Sequence, residues 1–227
     1  MDRTLIAGNS SVSFMRYSLR RKKTTRWKVC KSMIDYLRYR YDLLDMQKAY
    51  RESLQGLVGV REDELIRFCE EWFAEVVRNM IYPQARECVQ KHLGRGDIVV
   101  IITNSMTYAV EPLARHLKIH YILATRLEVR EGVFTGEYIE PICFRQGKIF
   151  WAEKLAARLG VPVGESTFYS DSITDLPLFE RVKYPQVVNP DPKLRAIAKK
   201  RGWPIQEFQI NKKVSVSVSA NKEQKTD

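Results

Sequence analysis

The sequence predicts an α/β fold with a parallel sheet preceded by an all-helical block, and three observations carry that prediction. Residues 32–57 and 62–80 space their apolar side chains near 3.6, as Leu65, Phe68, Cys69, Trp72, Phe73, Val76 and Val77 do, with no strand-like alternation. Residues 97–103 hold the unbroken β-branched run Ile98, Val99, Val100, Ile101 and Ile102, which suits a strand buried on both faces. From there on, strand-like and helix-like segments alternate, the pattern of a parallel sheet with crossover helices.

Taken in order, Asn9-Ser10-Ser11 supplies N-cap chemistry for a first helix carrying Phe14, Tyr17 and Leu19. After the helical block, a helix starts at Pro83, runs to His92 and stops at Gly94 and Gly96, residues that tolerate the turn at a helix end. The buried strand then leads into a polar turn, Asn104-Ser105, and a helix through Leu117. A short strand over 121–124 and a hairpin over 127–138 follow, with turn signals at Glu131-Gly132 and Gly136. A helix over 147–159, a strand over Thr167–Ser170, a short helix after Asp175 and a strand over 186–188 complete the alternation. Residues 211–227 alternate Val and Ser and then turn wholly polar, which predicts a disordered tail.

The chain has 227 residues, enough for one domain or for a core domain with a small inserted one. At 44% hydrophobic, 11% aromatic and 29% charged residues it has a globular composition, which excludes collagen-like and largely disordered chains. No apolar run reaches the roughly 18–20 residues a membrane-spanning helix needs. Met1-Asp2-Arg3-Thr4 lacks the layout of a secretory signal, so the expected compartment is the cytoplasm. Cys30, Cys69, Cys88 and Cys143 show neither CxxC spacing nor neighbouring histidines, so they read as reduced thiols rather than a zinc site or disulfide framework.

The net charge of +11 is concentrated in one place. Residues 16–31 carry Arg16, Arg20, Arg21, Lys22, Lys23, Arg26, Lys28 and Lys31 and no acid, while the rest of the chain is near balance. This segment reads as a solvated basic face or, second, as a contact with an anionic membrane surface. Beyond Tyr17 and Trp27 it offers no aromatic residues for stacking on bases, so no nucleic-acid partner is expected.

In an open parallel sheet, ligands bind at the carboxyl ends of the strands, so the residues following each strand are the candidates for chemistry. Thr103-Asn104-Ser105 puts a hydroxyl and a helix start where a phosphate can be held by a side chain and backbone N–H groups, although a Thr here also serves as a simple cap. Asp171 and Asp175 follow the later strand as Asp-x-x-x-Asp, and two carboxylates so close need a cation such as Mg²⁺ or a basic group. Asp175 alone suits a helix cap equally well. Gly147-Lys148 opens a helix between these elements and brings a cation that can offset phosphate and carboxylate charge.

The order of Asp2-Arg3-Thr4-Leu5, the strand ending in Thr103, Lys148 and then Asp171-x-x-x-Asp175 resembles the haloacid dehalogenase superfamily. Within it, the chain is most similar to the subfamily IB hydrolases that include phosphoserine phosphatase, over residues 1 to about 207. The segments Val188-Asn189-Pro190-Asp191-Pro192 and Arg201-Gly202-Trp203-Pro204 belong to that likeness. The resemblance implies a three-layer α/β/α core over 81–210 and a helical cap over 10–80, with residues 1–9 as the remainder of the first motif. It also implies a Mg²⁺-dependent phosphatase of small phosphorylated metabolites, working through an aspartyl-phosphate. On that basis Asp2 is the acid/base with its carbonyl on the metal, Thr103, Asn104 and Ser105 hold phosphate, Lys148 orients nucleophile and phosphate, and Asp171 holds the metal with Asp175 in support.

The family's first motif is Asp-x-Asp-x-Thr, so the resemblance puts the nucleophile one position before Met1 and the first core strand upstream with it. The expectation is that Met1 is the middle residue of Asp-Met-Asp-Arg-Thr, and that the 227 residues alone are nearly inactive. The alternative from another class is a non-catalytic binding module or pseudoenzyme contacting an anionic partner or membrane. Phosphoserine phosphatases carry a Glu seven residues after the acid/base to pair with the substrate amine, and Asn9 stands there in this chain.

Overall fold

The structure, a computed structural model, describes residues 1–23 and 46–210. The chain opens in a tight loop in which the Met1 carbonyl accepts from Leu5 N–H at 2.8 Å and Arg3 adopts φ 49°. Asn9 then caps α1 (Ser10–Arg20), its side chain accepting from Val12 N–H at 2.9 Å, as the cap pattern predicts. Helix α2 (Met46–Leu54) continues into a 3₁₀ turn, Gln55–Leu57. Glu62, Asp63 and Glu64 fill the first turn of α3 (Glu62–Glu75), where negative charge complements the helix dipole. The helix expected over 62–80 breaks at Val76 (φ −125°, ψ −62°) and resumes as a 3₁₀ turn, Val77–Met80. That break lets Trp72 and Val77 both enter the core.

Helix α4 (Pro83–Gly94) has its proline in the first turn, where the missing N–H costs nothing. Strand β1 (Val100–Met106) differs from the expected 97–103 at both ends. Gly96 (φ 80°) and the Asp97 N–H bond to the His92 carbonyl keep the chain turning, so pairing begins only at Val100. At the other end Asn104-Ser105 is not a turn but remains extended. Helix α5 (Thr107–Leu117) returns the chain to β2 (Tyr121–Thr125), parallel to β1. Strands β3 (Leu127–Arg130) and β4 (Val133–Tyr138) form the antiparallel hairpin. Gly136, expected in a turn, lies inside β4 with φ 86°, against Leu54 at the end of α2 and Val58 just past the 3₁₀ turn.

Helix α6 (Gln146–Leu159), β5 (Thr167–Ser170), α7 (Leu176–Phe179), β6 (Tyr184–Val188), α8 (Pro192–Arg201) and β7 (Ile205–Gln206) follow, and β5-β6-β7 is a parallel sheet. Among the described residues no ladder joins β1 to β5. Side chains bridge them instead, because Ile102 of β1 packs with Ile149, Phe168, Val187 and Leu194.

One hydrophobic cluster unites Tyr17, Trp72 and Val77 of the helical segment with Ile101, Val110 and Leu113 of the sheet and α5. Burying an indole of roughly 200 Å² contributes on the order of 5 kcal/mol before ordering costs. The exposed Arg115–Glu70 ion pair between α5 and α3 contributes about 0–1 kcal/mol, so packing rather than charge docks α3. Within the described part of the basic segment, Arg20 and Arg21 both pair with Glu75 and stack on Tyr17. Arg26, Lys28 and Lys31 lie outside the described residues, as do Cys30, residues 32–45 and the tail over 211–227. Cys69, Cys88 and Cys143 are free thiols. Among the described residues no helix is long and apolar enough to cross a membrane.

Candidate active site

The sequence candidates meet where the carboxyl ends of β1 and β5 face the loop that opens the chain. In β1 the pairing with β2 passes from Ile102↔Leu123 to Met106↔Thr125. Thr103, Asn104 and Ser105 therefore stand opposite Ala124 alone, and the excess residues bulge out of the ladder. Thr103 is buried at 5% exposure, and its hydroxyl accepts from Ser105 N–H at 3.3 Å.

Asp2 is held by the first residue of α1. Ser10 donates its backbone N–H to Asp2 Oδ1 at 3.1 Å and its hydroxyl to Asp2 Oδ2 at 3.0 Å. With that proton committed, the contact between the Ser10 and Ser105 hydroxyls at 3.3 Å must run from Ser105 to Ser10. A hydrogen-bonded chain thus links the bulge of β1 to the Asp2 carboxylate. Burial pushes Asp2 above the ordinary aspartate range, against the bonds from Ser10 and the nearby Lys148 charge.

Lys148, in the first turn of α6, reaches Asp175 Oδ1 at 2.6 Å, and Ser170 donates to Asp175 Oδ2 at 2.6 Å. Asp175 makes no side-chain cap bond to α7, so the plain capping reading of this residue is excluded. Gly147 explains how Lys148 comes so far in. The Ile142 carbonyl oxygen packs against its Cα, in space a Cβ would occupy.

Asp171 has a weaker partner: Arg3 Nε lies 3.9 Å away. Burial pushes its carboxyl up to about 7, with the like charges of Asp175 and Asp2 adding to the effect and Arg3 opposing it. The donors converging here are all oxygen, which suits Mg²⁺, an ion that binds through one or two carboxylates and keeps several waters. Among the described residues no three His, Cys, Asp or Glu side chains are close enough to enclose a metal. Asp171 offers the carboxylate type of ligand that such a cation takes.

The structure thus brings Asp2, Thr103, Ser105, Lys148, Asp171 and Asp175 into one cluster, whereas Asn104 contributes its carbonyl, which accepts from Thr125 Oγ1 at 3.2 Å. Four further residues, to which the sequence assigns no place in the site, support it: Ser10, Ser170, Asn189 and Asp191. Asn189 (φ 45°) donates to the Arg3 carbonyl at 2.9 Å and so holds the Asp2 loop. Asp191 accepts from Ile173 N–H at 2.6 Å and Leu194 N–H at 2.9 Å, clamping the Asp171–Asp175 loop while capping α8. Asp191 carried a signal in sequence, an Asp directly before Pro192 at a helix start.

Residues 1–180 match the haloacid dehalogenase-like hydrolase family. Over 221 residues the chain is 32% identical to a protein named phosphoserine phosphatase SerB1 from Mycobacterium tuberculosis, covering 95% of this chain and 71% of that one. Over 177 residues it is 34% identical to a histidinol-phosphatase of Neisseria meningitidis, covering 76% of this chain and 80% of that one. A solved structure of unknown function from Bordetella pertussis Tohama I superposes with a TM-score of 0.83 at 31% identity, over 91% of this chain and 95% of that one. A substrate-bound phosphoserine phosphatase shares the fold, with a TM-score of 0.66 at 17% identity over 91% and 89% of the two chains. Family, relatives and fold agree that this chain belongs to the haloacid dehalogenase-like hydrolases, in their phosphoserine phosphatase-like branch.

Proposed function

We propose that the protein is a Mg²⁺-dependent phosphatase that hydrolyses a small phosphomonoester through an aspartyl-phosphate. The observation that carries this reading is the convergence of Asp2, Ser105, Lys148, Asp171 and Asp175 at the ends of β1 and β5, with Lys148 and Asp175 buried.

In this reading Thr103, Ser105 and the backbone of the β1 bulge hold the phosphoryl oxygens, and Lys148 adds positive charge beside them. Mg²⁺, held by the Asp171 carboxylate and the Asp2 carbonyl, supplies further charge neutralisation when bound. The aspartate of the family pattern, one position before Met1, attacks phosphorus and the P–O bond to the leaving alcohol breaks. Asp2 donates the proton that alkoxide requires, and its carboxylate then takes a proton from the water that hydrolyses the acyl phosphate. Ser10 keeps the Asp2 carboxylate aimed throughout. Asp175 holds Lys148 in place, and the segment over 10–80 acts as the cap that covers the substrate.

The test compares two proteins, the 227 residues alone and the same residues preceded by a strand ending in Asp. With Mg²⁺ and a small phosphomonoester, the extended protein turns over and the shorter one hardly does. Asp171→Asn in the extended protein abolishes turnover and chelation of Mg²⁺ halts it. Full activity from the 227 residues alone would place the nucleophile elsewhere.

A further inference from the structure

Thr125 closes β2, is 1% exposed and belongs to no motif, yet its hydroxyl joins the two segments assigned above to phosphate. It donates to the Asn104 carbonyl at 3.2 Å and accepts from Cys143 N–H at 3.2 Å. The Tyr50 phenol of α2 lies beside the same side chain. A hydroxyl has one proton and two lone pairs, and these two bonds commit the proton and one lone pair.

Each bond fastens to β2 a segment that lies outside its strand ladder. Asn104 sits in the part of β1 that has left the ladder, between Ile102↔Leu123 and Met106↔Thr125. Turning its carbonyl toward Thr125 turns the N–H of the same planar trans peptide, that of Ser105, the opposite way. Cys143 is fastened twice, since its thiol also donates to the Leu123 carbonyl at 3.3 Å. One residue earlier, the Ile142 carbonyl packs on Gly147, directly before Lys148.

We propose that Thr125 is a positioning residue that sets the spacing between the Thr103–Ser105 bulge and Lys148. The inference rests on the phosphate role proposed for those two segments. Its structural half, the joint positioning, stands without any ligand.

The test uses Thr125→Val, which keeps the shape and removes the hydroxyl, and Thr125→Ser, which restores it. In hydrogen exchange, Thr125→Val speeds exchange by about tenfold in residues 103–106 and 142–149 together and leaves 184–188 unchanged, while Thr125→Ser matches the parent. In calorimetry with inorganic phosphate and Mg²⁺, Thr125→Val weakens binding about tenfold and Thr125→Ser restores it. Should Thr125→Val not fold, Thr125→Ala, whose missing atoms leave room for water, carries the same comparison. Faster exchange in only one segment, equal acceleration at 184–188, or a serine variant that behaves like valine overturns the inference. A parent protein that binds no phosphate overturns the proposed function instead, and the exchange comparison still decides the positioning claim.

Discussion

Lys148 and Asp175 form a 2.6 Å ion pair in which both residues are buried, at 8% and 4% exposure. Withdrawing two charges from water is costly, and a lone survivor of such a pair is costlier still. Asp175→Ala is expected to destabilise the protein by about 3–5 kcal/mol, because buried Lys148 loses the carboxylate it meets at 2.6 Å. Ser170→Ala, which removes the second bond to Asp175 and the longer one accepted from Ser172 N–H at 3.4 Å, is expected to cost about 1–3 kcal/mol. Urea denaturation of both variants gives the comparison, and a cost below that of Ser170→Ala for Asp175→Ala would contradict it.

Gly147→Ala is expected to be among the most damaging single-methyl changes near the site. Its Cβ enters the space of the Ile142 carbonyl oxygen, a backbone atom that cannot swing aside. Overpacking of this kind costs roughly 1–3 kcal/mol, and the strain is relieved by moving the start of α6 and with it Lys148. Gly164→Ala is the control, since the nearest atom to a Cβ there is the Arg181 carbonyl oxygen at 4.0 Å. That change is expected to be neutral or to stabilise by up to about 1 kcal/mol. Melting curves of the two variants are the measurement, and equal effects would remove the close approach as an explanation.

Thr103, Asp171 and Asp175 were legible in sequence because they directly follow apolar strand segments, where a parallel sheet places its ligands. Lys148 was legible only through its order among them, since nothing local separates it from a surface lysine. Ser10 and Asn189 were not legible in these roles. Ser10 looks like ordinary helix-start chemistry, and the Asn189 bond to Arg3 spans 186 residues. The ends of β1 were displaced for a related reason. Ile98 and Val99 have strand-forming side chains, but the turn at Gly96 governs their backbone, and residue type does not show where a ladder bulges.

Asn9 is expected to contribute to stability rather than to recognition of a substrate amine. Its Oδ1 is committed to Val12 N–H at 2.9 Å, so the carboxylate found at this position in phosphoserine phosphatases is replaced here by a helix cap. Asn9→Ala is expected to cost about 1 kcal/mol, while Asn9→Asp, which keeps the acceptor, stays within about 0.5 kcal/mol of the parent. On the extended protein, phosphoserine and an amine-free phosphomonoester of equal size are expected to differ in kcat/KM by less than about tenfold. A preference of several hundredfold for phosphoserine would show that another residue binds the amine.

Glu111 of α5 predicts how stability changes with pH. Burial raises its pKa in the folded protein, and the neighbouring Glu62, which accepts from the Tyr108 hydroxyl at 2.5 Å, raises it further. In the unfolded chain Glu111 titrates near the ordinary glutamate value, about 4.3. Between that value and the higher folded one, the folded state binds more protons than the unfolded state, so stability falls as pH rises through the window. The loss is complete once pH exceeds the folded pKa, and at neutral pH the buried charge is a standing cost. Glu111→Gln keeps the shape without the charge, so it should flatten this part of the stability curve and make the protein more stable than the parent at pH 7. Urea denaturation of parent and variant from pH 4.5 to 8 measures both slopes. Parallel curves across that range would mean that Glu111 ionises as readily in the folded protein as in the unfolded chain.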